Sequence, residues 1–290
     1  MSKESEAIIH QHEAKGKYVT IEGIKTFYME VGTGPVVFCI HGVPTSSFLY
    51  RKVVTQLQSK GLRAIAIDLP GLGLSDRPED FNYIFSNFGR FCNQFLDELQ
   101  IEEVHLLIHD IGGPIGLSMA AQSSGRIRSV TVLNAMLDVE HFVKPLAMLP
   151  FEKPVLGEAA LAMLTTATFP LMMKMAGVVN NAVISSEETS AYIHLLKRED
   201  EGKAFLKIMR NFEQTAAFTR ECYRAWQNPA YPVQLVWGDE DPFLKFEEHG
   251  KAFEDARPGI PVTKVNSKHF LQEEQYEIIA TKVKELMPQA

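Results

Sequence analysis

Five runs of continuous apolar residues, 36–40, 64–67, 104–108, 130–133 and 233–237, recur along the chain without polar alternation. Strands read this way when both of their faces are buried. Between the first four runs lie segments with apolar residues at helical spacing, 48–58, 87–99 and 114–122. Strand and helix therefore alternate, which predicts an α/β fold with a mostly parallel central sheet and helices on both faces. Residues 18–21 and 25–31, joined by the turn Glu22-Gly23-Ile24, read as a hairpin at the sheet edge. Ligands of such sheets sit outside the carboxyl ends of the strands, so chemistry is sought in the residues directly after each run.

The alternation breaks at 138–229, a stretch rich in Met, Ala and Leu with helical spacing and no convincing strand, and resumes with the run 233–237 and a last strand at 262–265. An inserted helical cap over the strand ends follows from this. The expected organisation is a core of residues 1–137 and 230–290 carrying a cap of residues 138–229. The longest apolar run, 159–173, is too short for a bilayer span of about 20 residues and is interrupted by Pro170, so it reads as buried helix or cap. Its neighbourhood holds Met163, Met172, Met173 and Met175, which read as helix core or as an adaptable apolar wall.

Each strand end carries a polar or glycine-rich turn. His41-Gly42-Val43-Pro44 follows the run at 36–40, Asp68 to Ser75 the run at 64–67, and His109-Asp110-Ile111-Gly112-Gly113 the run at 104–108. Gly238-Asp239-Glu240-Asp241 follows 233–237, and His269 follows 262–265. Glycines just past a central residue, between a strand and a helix, give a turn tight enough to expose that residue at the top of the sheet. The central residue is Asp110, and no Gly-x-Ser-x-Gly occurs. A carboxylate in that position attacks an electrophilic carbon to leave an ester on the enzyme, which a water deprotonated by a carboxylate-oriented His then hydrolyses. The bland alternative for Asp110 is a residue capping the following helix. The Asp68 to Ser75 turn reads as structural, because a dinucleotide loop would open a helix right after the first strand.

The stretches HGVPTSSFLYR, DLPGLGLSDRP, HLLIHDIGGPIG, VWGDEDPFL and KHFLQEE, in this order, resemble the α/β-hydrolases with an aspartate nucleophile, the haloalkane dehalogenases and epoxide hydrolases. The resemblance covers roughly residues 19–134 and 232–287. It implies an α/β-hydrolase fold, Asp110 as nucleophile, His269 as general base and Asp241 as the acid that orients it. Many dehalogenases carry that acid as a Glu at the position of Asn134; a neutral amide cannot stabilise an imidazolium, so Asp241 is preferred and Asp138 is the fallback. The resemblance also implies an oxyanion hole from the N–H groups of Val43 and Ile111, with His41, Gly42 and His109 as supporting residues that orient backbone.

Two leaving groups are open to this family. A dehalogenase holds its halide with a Trp after the nucleophile and an Asn after His-Gly, or with a cap Trp, but those first two positions are Ile111 and Val43, which donate nothing. The two tryptophans are Trp226, at the end of the cap, and Trp237, inside a strand. An epoxide hydrolase protonates its ring oxygen with a cap Tyr, and Glu221-Cys222-Tyr223-Arg224 resembles the Tyr-Arg pair that carries it. Tyr192 and His141 are weaker donors. The sequence thus favours epoxide opening with Tyr223 as donor, ahead of dehalogenation, with a non-catalytic binding or signalling protein as the reading from another class.

The charge balance, 29 basic against 36 acidic residues for a net −7, argues against nucleic acid or membrane as partner and leaves a small apolar substrate and water. Cys39, Cys92 and Cys222 are odd in number and widely spaced, as in reduced proteins, and no metal or cofactor constellation appears. The first residues lack the apolar core of a secretion signal, so the expected location is cytoplasmic.

Overall fold

The computed structural model describes residues 2–287. Its strands are β1 (Gly16–Ile21), β2 (Ile24–Val31), β3 (Val36–Ile40), β4 (Arg63–Ile67), β5 (Val104–Asp110), β6 (Ile127–Ala135), β7 (Val233–Gly238) and β8 (Val262–Val265). They form one sheet in the order β1-β2-β4-β3-β5-β6-β7-β8. The β1–β2 hairpin pairs antiparallel and joins β4 antiparallel, while β4, β3, β5, β6, β7 and β8 run parallel. The five apolar runs are all strands, and every residue of β5, in the middle of the sheet, is buried.

The helices are α1 (Lys3–Ala14), α2 (Arg51–Ser59), α3 (Phe85–Glu98), α4 (Gly112–Gln122), α5 (Leu156–Met163), α6 (Phe169–Met172), α7 (Ser186–Lys197), α8 (Lys203–Arg210), α9 (Ala216–Trp226), α10 (Lys251–Ala256), α11 (Leu271–Glu274) and α12 (Tyr276–Leu286). On α3, Phe85, Phe88, Phe91, Cys92 and Phe95 recur every three or four residues, so one stripe faces the sheet and packs beside α4 in one core layer. On the other face α2 and α12 pack together through Val53, Val54, Leu57, Ile279 and Val283. Hydrophobic burial on both sheet faces explains why the strands carry no polar alternation.

Two features differ from the sequence expectation. The segment before β1, which lacks a clear apolar stripe, is a helix: α1 starts at an N-cap where the Ser2 side chain accepts from Ser5 N–H, and it buries Ser5 and His12. Residues 159–173 are not one buried element. The turn at Thr165 and Thr168, closed by their own hydroxyls, separates α5 from α6. The methionines therefore point different ways, Met173 into the core and Met163 and Met175 into solvent. Between β6 and β7 the described chain is helical or irregular, with no strand.

Candidate active site

The site lies where four parallel strands end. β5 and β6 pair in register from His105 and Ser129 to His109 and Leu133, and a bulge then sets Asp110 opposite Ala135. Bulges at a strand end re-aim a side chain. Asp110 adopts a left-handed backbone, φ 53°, which a non-glycine residue holds only when its surroundings enforce it. The enforcement comes from close backbone packing. A Cβ on Gly112 would meet the Ile40 carbonyl at 2.3 Å, and one on Gly42 would meet Asp110 Oδ1 at 2.1 Å. Only glycines let the β3 and β5 turns approach this closely.

Asp110 Oδ1 accepts the Val43 N–H at 2.8 Å, and the Ile111 N–H favours the ionised carboxylate. Oδ2 lies 3.8 Å from His269 Nε2. His269 Nδ1 donates to Asp241 Oδ2 at 2.8 Å, which leaves the Nε2 lone pair facing Asp110. Asp241 Oδ1 in turn accepts from the N–H groups of Phe243 and Leu244. The structure thus brings Asp110, His269, Asp241, Val43 and Ile111 together.

The charges follow from these contacts. Burial pushes the Asp110 carboxyl above the usual carboxylate range, partly offset by the His269 charge and the Ile111 and Val43 N–H groups. Burial opposes ionisation of Asp241 too, but His269 and two N–H donors hold it below its ordinary value. For His269, burial works against the proton, and the carboxylates of Asp241 and Asp110 outweigh it to raise the imidazole.

The supporting residues bind backbone. His41 Nδ1 donates to the Gly42 carbonyl at 2.8 Å while its Nε2 accepts from Leu69 N–H, and burial lowers its pKa to about 4. His109 Nε2 donates to the His269 carbonyl at 2.9 Å, with the two rings 4.7 Å apart. Asp68 accepts from Ser47 and Leu74 N–H and ties two loops together. Asp138 points away, pairing with exposed His141.

Asn134 plays a part that its neutrality hid. Its Nδ2 donates to Asp241 Oδ2 at 2.8 Å, and its Oδ1 accepts from Gly238 N–H at 2.7 Å. An amide both donates and accepts, which is the signal that identifies a holder of the acid rather than the acid.

Asp110 and His269 open into a cavity of about 180 Å³. Its walls are carbon: Val43, Phe142, Phe151, Met172, Phe243 and Phe270 are among them, and the side chains of Asp110 and His269 supply the polar atoms. Tyr223 is not brought there, a correction to the expected donor. It sits on α9, which packs along α4 through Cys222, and burial and the Asp138 charge raise its pKa. Tyr192 is buried elsewhere with its hydroxyl on Glu273, 2.6 Å away. The indole N–H groups of Trp226 and Trp237 are taken by the carbonyls of Phe253 and Leu244.

Comparison with known proteins agrees with this architecture. Residues 35–157 match the family described as alpha/beta hydrolase fold. Haloalkane dehalogenase 2 of Mycobacterium tuberculosis is 37% identical over 107 residues, and the match spans 37% of this chain and 37% of that relative. The structure of Cfl2 from Burkholderia cenocepacia superposes with a TM-score of 0.81 at 20% identity, covering 94% of this chain and 95% of that one. The epoxide hydrolase CorEH gives 0.75 at 18% identity, covering 93% and 97%. By its sheet, its strand-end turns and these likenesses, the chain has the α/β-hydrolase fold.

Proposed function

We propose that the chain is a hydrolase that cleaves a small apolar alkyl electrophile through an ester on Asp110, with residues 138–229 as a cap over a core of 1–137 and 230–290. The observation that carries this reading is the state of one carboxylate. Its Oδ1 is held by the Val43 N–H and its Oδ2 faces His269 at 3.8 Å inside an apolar cavity.

Asp110 Oδ2 attacks a saturated carbon, and the leaving group departs with the bonding pair. Burial strips water from the carboxylate, which strengthens it as a nucleophile. Once esterified, Asp110 no longer carries charge, and Asp241 alone supports protonation of His269. The imidazole is then a better acceptor at neutral pH. It takes a proton from a water that adds to the ester carbon, and the oxyanion forms on Oδ1, which already accepts the Val43 N–H, with the Ile111 N–H as the second donor. Collapse expels the alcohol, which regains the proton from His269.

The leaving group decides between two reactions. With Tyr223 outside the cavity, an alkoxide from an epoxide has no phenol to protonate it, whereas a halide is a weak base and needs no proton. Displacement of halide therefore ranks ahead of epoxide opening, and the likeness to a haloalkane dehalogenase supports that order. No indole N–H faces the cavity, so bromide and iodide, the better leaving groups, are expected ahead of chloride. A cavity of about 180 Å³ with carbon walls suits an apolar molecule near the size of benzene.

The test is separate incubation with a short bromoalkane and a terminal epoxide, assaying bromide and diol. Bromide release is expected. Diol alone would restore epoxide hydrolysis, and neither product from any electrophile would leave a binding protein on this scaffold.

A further inference from the structure

Among the described residues, the large apolar side chains that stand exposed all lie between 143 and 175, except Ile278. Val143 and Leu146, 83% and 85% exposed, alternate with the cavity-wall residues Phe142, Pro145, Ala147 and Met148. Met163 adjoins the wall residue Leu164, Leu171 adjoins Met172, and Met175 adjoins Ala176. Val155 and Leu156 extend the patch onto α5, whose Gly157 packs against Phe151 of the wall. The same three segments thus face inward to line the cavity and outward as an apolar collar around it. A collar of this extent marks a docking surface.

Charge distinguishes the occupants. Residues 142–177 hold Lys144, Lys153 and Lys174 against Glu152 and Glu158, a balance of +1 in a chain of −7. Both acids are taken, Glu152 by Lys144 and Glu158 by Arg210. Exposed Lys153 and Lys174 stand among the apolar side chains, and Lys268, beside His269, places its Nζ on the Lys174 carbonyl. Exposed Glu140 precedes this stretch, and over a Debye length of about 8 Å at physiological salt the sign at the collar is set by its neighbouring side chains rather than by the net charge of the chain. A second copy seated here would bring like charges together and cover the cavity. A lipid surface accepts apolar side chains in its interior and lysines at anionic head groups, and it holds apolar molecules in solution at the cavity.

We infer that the 143–175 collar docks this protein on an anionic lipid surface, from which the cavity draws its apolar substrate. No described helix is long and apolar enough to cross a bilayer, so the contact is peripheral. Docking does not depend on the reaction proposed above; only the role of the lipid as substrate reservoir rests on it.

The experiment is co-sedimentation of the full chain with vesicles of phosphatidylcholine, with and without a third of phosphatidylglycerol, at low salt and at about 0.15 M salt. Binding is expected to the anionic vesicles and to weaken with salt. The pair Leu146→Ser and Met175→Ser, at exposed positions, is expected to lower partitioning about tenfold or more. Lys153→Glu with Lys174→Glu should abolish the preference for anionic lipid. Absence of binding to either vesicle, or binding that both double variants retain, overturns the inference. So does a concentration-dependent dimer that disappears in the Leu146→Ser, Met175→Ser variant. Because vesicle binding is read without turnover, its failure is distinct from failure of the proposed chemistry.

Discussion

Asn134 Nδ2 and His269 Nδ1 both reach Asp241 Oδ2, each at 2.8 Å, so one carboxylate oxygen is shared between the base and the amide beneath it. The amide fixes Asp241 in the position that selects the His269 tautomer. Asn134→Ala removes a hydrogen bond to a charged acceptor, worth about 1.5–3 kcal/mol. The expected result is a hydrolysis step slowed about tenfold or more, with alkylation of Asp110 unchanged, read by single-turnover mass spectrometry. Equal slowing of both steps would count against a role confined to Asp241 and His269.

The pH dependence separates the same two steps. Asp110 must be ionised to attack, and its pKa lies above the usual 3.8; His269 must be neutral to activate water, and in the ester Asp241 is the carboxylate that still favours its proton. As pH falls, hydrolysis is lost on passing through the His269 value while ionised Asp110 still reacts. Ester is therefore expected to accumulate on the acid side in rapid-quench experiments. Loss of alkylation before loss of hydrolysis would contradict the assignment of the two groups.

Tyr223 offers a control. Its place on α9, away from the cavity, predicts that Tyr223→Phe changes turnover by less than about twofold. A much larger loss in steady-state rate with any substrate would return the hydroxyl to the reaction.

Glu273 is fully buried and receives Arg51 at 2.5 Å, Lys52 at 2.9 Å and the Tyr192 hydroxyl at 2.6 Å. Arg51 also pairs with Glu188 of α7 at 2.8 Å. This cluster joins α2, α7 and the α11 turn that follows His269. Glu273→Ala leaves Arg51 and Lys52 without their buried counter-charge, a loss of about 3–5 kcal/mol. A fall in Tm of roughly 10 °C is expected by calorimetry; an unchanged Tm would show that the cluster holds nothing together.

Much of this molecule was legible in its residues because burial writes a pattern. The doubly buried strands read as unbroken apolar runs, and the turns after them meet at the sheet's carboxyl edge; Asp110 stands out there by its tight turn, and the family resemblance singles out Asp241 and His269. Other parts leave weaker traces. α1 buries a serine and a histidine, so no apolar stripe announces it. Tyr223 was read from a dipeptide, and residue type does not tell which way a helix turns; Phe218, Thr219, Cys222, Ala225 and Trp226 are the buried residues of α9, and they fix its face toward the core. The methionines of 163–175 carry helical spacing, yet the threonine turn divides them between core, cavity and solvent.

The most direct measurement is the intact mass of the His269→Gln variant after incubation with a bromoalkane. Attack needs no base and hydrolysis does, so Asp110 should hold the ester. The expected result is a mass increase equal to the alkyl group alone, located on Asp110 by peptide mapping and absent from Asp110→Asn. No adduct on Asp110 with either a bromoalkane or an epoxide would contradict the nucleophile assignment on which the account rests.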